Sequence, residues 1–128
     1  RGRAPARHAA RRRVARRCRA FRHGPGEQKT KNLDGNQHVV MITGSDRWDE
    51  GLDVMVEGEA RRVTDRATLQ RLADAWATKW TGEWTFGVSD QGFTHADDVS
   101  DALVFAIEPD KILAFGKGTF SHTRYRMR

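Results

Sequence analysis

From residue 52 the chain alternates: Leu52, Val54, Val56, Gly58 and Ala60 stand on one side, and Asp53, Met55, Glu57, Glu59 and Arg61 on the other. A period of two is that of a strand with one buried face, and it predicts an antiparallel strand over residues 52–63. Gly58 in its middle marks a bulge or a close approach of another backbone. Upstream, the run Val39-Val40-Met41-Ile42 predicts a buried strand over residues 38–43. Between them, GSDRWDEG reads as a turn or loop. Downstream the period changes. Ala67, Leu69, Leu72, Ala73, Trp76 and Trp80 recur at helical spacing, behind the cap signal Thr64-Asp65 and ahead of the stop Thr81-Gly82. They predict an amphipathic helix over residues 66–79, with Trp76 and Trp80 as core or interface anchors.

The remaining segments are shorter. Residues 27–36 form a helix candidate that Gly35 and Asn36 stop. Residues 84–88 read as a short strand, 91–100 as an acidic loop and 102–107 as a strand. Pro109-Asp110 reads as a turn, 112–115 as a strand and 120–127 as a last alternating segment. Many strands with one or two helices predict a mainly β (α+β) fold, a small antiparallel barrel with helical insertions.

Composition divides the chain in two. Of its 128 residues, 1–24 hold ten arginines and no acid, which leaves thirteen basic against seventeen acidic side chains, a net of −4, in the rest. The expected organisation is an Arg-rich segment, residues 1–23, followed by one domain, residues 24–128. Three readings of the segment stay open. It is an inert basic tail without the apolar residues to order it; or a nucleic-acid arm whose arginines release counterions from phosphates; or sequence read out of frame from a GC-rich gene. The third is testable on paper. Shifted by one base, RHAARRRVARRCRAFRHG (residues 7–24) can be rewritten as VTPLAAVWLDGAVHFATG, two apolar runs around a hairpin turn. Nucleic-acid binding is expected to be non-specific at most. The single Cys18 excludes an intrachain disulfide framework, and no apolar run reaches the roughly 18 residues of a membrane span, so a cytoplasmic protein is expected.

Two stretches carry candidate chemistry. In GPGEQKTKNLDGNQHVVMITG (residues 24–44), Lys29 and Lys31 supply cations, while Asn32, Thr30 and the helix N-terminus supply donors. Together they form an anion site suited to a phosphate; the competing reading is a solvated helix face. Near the C-terminus Lys117, Ser121, His122, Thr123, Arg124, Tyr125 and Arg126 form a polar, basic and aromatic cluster. Arg124 and Arg126 share one strand face and Thr123 and Tyr125 the other, so one pair points inward and one to solvent. The competing reading is an exposed, Arg-rich tail. His38, His95 and His122 show no metal spacing, and Asp97, Asp98 and Asp101 lack the pattern of a calcium loop.

These segments, with GLDVMVEGEARRVTDRATLQRLADAWATKW and ALVFAIEPDKILAFGKGTFSHTRYRMR, resemble the pyridoxamine 5′-phosphate oxidase-like proteins, FMN-binding split β-barrels, and among them the actinobacterial branch. The resemblance runs in order over residues 24–128. It implies a six-stranded barrel that forms a homodimer with the flavin at the subunit interface. It also implies FMN-dependent, or deazaflavin-dependent, oxidation or reduction of a small molecule. A lysine of the Lys29–Asn32 turn would contact the cofactor phosphate, and an Arg or aromatic of the last strand would approach the flavin. The cofactor-binding set is therefore Lys29, Thr30, Lys31, Asn32, Arg124 and Arg126. The family's first two strands, which the rewritten string resembles, are replaced here by the Arg-rich segment. No general acid or base stands out, so the alternatives remain a non-catalytic flavin-type cofactor binder or a basic nucleic-acid-binding protein acting through residues 1–23.

Overall fold

The computed structural model describes residues 20–95 and 101–127. They form β1 (Ala20–His23), α1 (Gln28–Gly35), β2 (His38–Thr43), β3 (Leu52–Arg62), α2 (Arg66–Lys79), β4 (Gly87–Val88), β5 (Phe93–Thr94), β6 (Leu103–Gly116) and β7 (Ser121–Arg126). One sheet has the strand order β1-β6-β3-β2, with β7 also paired to β6; β4 and β5 make a small second sheet. The mainly β, α+β class expected from the sequence is the class observed. No described helix is long and apolar enough to cross a membrane. The chain divides into two compact units, residues 38–59 with 107–127, and residues 20–37 with 60–106.

In the first unit β2 and β3 pair antiparallel from His38↔Glu59 to Thr43↔Val54. The alternation of β3 is realised: Val54, Val56 and Gly58 are buried, and the intervening residues are not. Gly58 is the expected close approach, since a Cβ there would overlap the Glu108 carbonyl oxygen and stand 2.8 Å from Pro109 Cα. The expectation that β2 is buried fails. Val40 is 49% exposed and Ile42 66%. They lie opposite Glu57 and Met55, and residues opposite one another share a face, so they belong to the outward face of the hairpin. An unbroken apolar run does not imply burial on both sides.

Pro109-Asp110 is not a turn. β6 runs through it as one strand of 14 residues. Its residues 103–106 pair with β1 and its residues 111–116 with β7. Pro109 falls between the two stretches, outside the registers with β1 and β7. The Asp110 carbonyl instead accepts from Met127 N at 2.9 Å.

The second unit is built on α2. Its Asp65 cap accepts from the Thr68 N–H at 2.9 Å and the Thr68 hydroxyl at 2.7 Å. The expected stop is present: Thr81 and Gly82 take φ of 51° and 82°, and Gly82 N donates to Ala77 O at 2.9 Å. Leu69 and Ala73 enter a core with Phe86, Phe93, Ala102 and Val104. Phe86 and Phe93 stack with centroids 5.0 Å apart, and Trp76 meets Phe93 edge-on at 5.7 Å. Trp76 is thus the core anchor its spacing predicts. Trp80 is exposed, with the Lys79 ammonium over its ring.

The strand expected over residues 84–88 shortens to Gly87–Val88, because its partner is only two residues long. That partner, β5, lies inside the expected acidic loop. Ser89 Oγ accepts from the N–H groups of Gln91 and Gly92, which closes the turn between them. Asp97 and Asp98 lie outside the described residues.

The last four residues of the expected Arg-rich segment are described. Ala20–His23 is not an unpacked end but β1, paired with β6 from Ala20↔Ala106 to His23↔Leu103. Phe21 stacks on Phe105 with centroids 5.4 Å apart, and the Arg22 guanidinium lies 4.7 Å from the Phe86 ring centroid. Backbone pairing with β6, together with these ring contacts, orders four residues that composition alone assigns to a basic tail. The readings of residues 1–19 lie outside the described residues.

The cap makes a pH prediction. Hydrogen bonds from the Thr68 hydroxyl and then from the Thr68 backbone N–H hold the Asp65 carboxyl below the usual carboxylate range. A depressed carboxylate stabilises the fold above its unfolded pKa, and that contribution is lost as pH falls through the folded value, below about pH 4. Asp65→Ala should therefore lower Tm at pH 7 by more than it does in acid. A Tm difference independent of pH would exclude the charge of the cap as its source.

Candidate functional site

The predicted ligand contacts fall in different units: Lys29, Thr30, Lys31 and Asn32 in one, Arg124 and Arg126 in the other. The first set sits on α1. A knot of hydrogen bonds precedes it: Glu27 N donates to Gly24 O at 3.1 Å, and Gly24 N donates to Glu27 Oε1 at 2.9 Å. The Glu27 carboxylate, 3.2 Å from His23 Nδ1, is turned away from capping, and no side chain caps α1. Its pKa is lowered first by the Gly24 N–H, with smaller contributions from His23 and Lys29.

The four α1 residues do not all face one ligand. Thr30 is 6% exposed and its hydroxyl donates to Gly24 O at 2.9 Å, so that proton is committed within the protein. The Asn32 amide oxygen accepts from Gln28 Nε2 at 2.9 Å, which leaves its NH2 side as donor. Lys29 and Lys31 are exposed, and neither forms an ion pair among the described residues. At about 100° per residue they project to opposite flanks of the buried Thr30/Leu33 stripe. Because helical side chains lean toward the N-terminus, what the two lysines share is the uncapped start of α1.

The second set is on β7, where the arginine pair takes the solvent side. Lys111 pairs with Arg126 and Leu113 with Arg124, so these four share a face, while Tyr125 lies opposite Ile112 on the other and is half-buried. Arg124 and Arg126 open onto a cleft of about 210 Å³ that Glu57, Asp110 and Lys111 also line. The Lys111 ammonium is 2.8 Å from Glu57 Oε2. Among the described residues neither arginine has an ion-pair partner.

Other members of the C-terminal cluster are structural. Lys117, whose side chain is 13% exposed, donates to Ser45 O at 2.9 Å and stands 3.1 Å from Asp53 Oδ1. That carboxylate oxygen is buried without an aligned hydrogen bond, so the contact is an ion pair alone. It fastens the loop after β2 to the end of β6. His122 lies edge-on between Phe115 and Phe120, at 4.9 and 4.6 Å.

Glu57, Asp110 and Lys111 are the cleft residues that sequence reasoning missed. Glu57 stood on the correct face of β3, but reading Pro109-Asp110 as a turn hid the register that sets Lys111 beside Arg126. No family model matches the sequence, and no curated protein matches it.

Proposed function

We propose that this chain is a pyridoxamine 5′-phosphate oxidase-like flavoprotein of the split-barrel type. It binds FMN, or the deazaflavin coenzyme, and uses it to oxidise or reduce a small molecule in the cytoplasm. The observation that carries this reading is the start of α1: an uncapped helix N-terminus with Lys29 and Lys31 beside it and without ion-pair partners among the described residues. Such a terminus offers N–H donors and a favourable dipole to a phosphate, and the lysines add charge. The bound cofactor supplies the redox chemistry, and the chain supplies binding and orientation. Glu27 stands close by, but its carboxylate is drawn toward Gly24 N and His23. The proposal does not extend to Arg124 and Arg126.

The test is FMN uptake by the full chain, followed by absorbance and fluorescence. Lys29→Ala with Lys31→Ala removes charge-assisted contacts of about 1.5–3 kcal/mol each and should weaken binding at least tenfold. Equal FMN affinity in parent and double variant refutes the phosphate site. Uptake without reduction by any electron donor favours a non-catalytic binder. The outward Val40 and Ile42 support the homodimer that goes with this reading, because apolar side chains on an open sheet face favour a partner surface. Sedimentation of the cofactor-loaded protein as a monomer contradicts it.

A further inference from the structure

We propose that the cleft between β3, β6 and β7 is a second, independent anion site, which takes the phosphate or carboxylate group of a small molecule through Arg124 and Arg126. Three cations and two acids line it, and their arrangement decides the net effect. Glu57 at 2.8 Å neutralises Lys111 and fixes its ammonium at one wall. Arg124 and Arg126 then remain as the cations without ion-pair partners among the described residues. They stand on one face of β7, two positions apart, and that face is shared with Lys111 through the Lys111↔Arg126 pairing.

Two guanidinium groups held on a strand present planar forks of N–H donors, the geometry that oxyanions accept in bidentate fashion. The cleft, at about 210 Å³, admits a small acid and not a folded partner. Asp110 is its remaining acid. It selects against a highly charged ligand and for one whose single anionic group meets the arginines. The site lies wholly in the unit of residues 38–59 and 107–127, whereas Lys29 and Lys31 lie in the other, so the two anion sites are separable by mutation.

Calorimetric titration of the full chain with inorganic phosphate and, separately, with acetate tests this and tells the two oxyanion chemistries apart. Arg124→Gln with Arg126→Gln should weaken binding of whichever anion the cleft takes at least about tenfold. Lys29→Ala with Lys31→Ala should leave a phosphate isotherm with the same affinity for the cleft. Glu57→Gln moves the other way: it frees the Lys111 charge and should tighten binding several-fold, a gain that a damaged fold does not mimic. The site is overturned if neither anion binds at millimolar concentration. It is equally overturned if the arginine variant binds as the parent does, or if Glu57→Gln binds no tighter. Because the lysine variant reports on α1 alone, FMN binding can fail while the cleft stands, and the reverse.

Discussion

Phe93→Ala should destabilise the protein by about 3–5 kcal/mol, the range for emptying an aromatic site in a packed core. Phe93 is 1% exposed and meets α2, the segment before β4 and the segment before β6. Its ring stacks on Phe86 and receives the edge of Trp76, and its backbone exchanges two hydrogen bonds with Ala102, at 2.9 and 2.8 Å. The backbone pairing survives truncation and keeps the cavity walls apart, so the site cannot collapse around alanine. Denaturant unfolding followed by tryptophan fluorescence measures the loss, since Trp76 loses its edge contact as well. A change below about 1.5 kcal/mol, the size of a volume-conserving swap, would show that this cluster is not the core of its unit.

Gly58→Ala is the second large effect, and it arises from adding one carbon. The new Cβ would overlap the Glu108 carbonyl oxygen and sit 2.8 Å from both the carbonyl carbon and Pro109 Cα. These are backbone atoms in a strand that proline stiffens, so no side-chain rotation relieves the clash. Overpacking costs about 1–3 kcal/mol where neighbours can shift, and this site should reach the upper end. Gly35→Ala, where a Cβ meets nothing within 4 Å, is the control and should be neutral or stabilising. Equal melting temperatures for the two variants would remove Gly58 as a contact point of β3 with the Glu108-Pro109 segment.

How far the sequence revealed these features depended on whether the signal was local. The period of β3, the cap and stop of α2 and the bounds of β2 are encoded within a few residues of where they act, and they were legible. The continuity of β6 was not. Pro109 is a strand breaker by local rules, yet it lies between residues 103–106 and 111–116, which pair with separate strands. The cost of that misreading fell on the candidate site. The Arg124/Arg126 face was legible from a spacing of two, but Lys111 and Glu57 join it through register between strands distant in sequence. On α1 the lysines were legible as charge, whereas the inward turn of Thr30 follows from Gly24 accepting its hydroxyl, six residues away.

The shortest strand of the main sheet has a role beyond its four residues. β1 occupies the backbone of Leu103–Ala106 and lays Phe21 against Phe105. A chain begun at residue 24 would present those N–H and C=O groups as an unpaired row flanked by an uncovered phenyl ring, which is a template for strand addition from another molecule. Residues 20–23 therefore act as an edge guard: their removal should reveal itself first as self-association that grows with protein concentration, ahead of any change in the cofactor or anion sites.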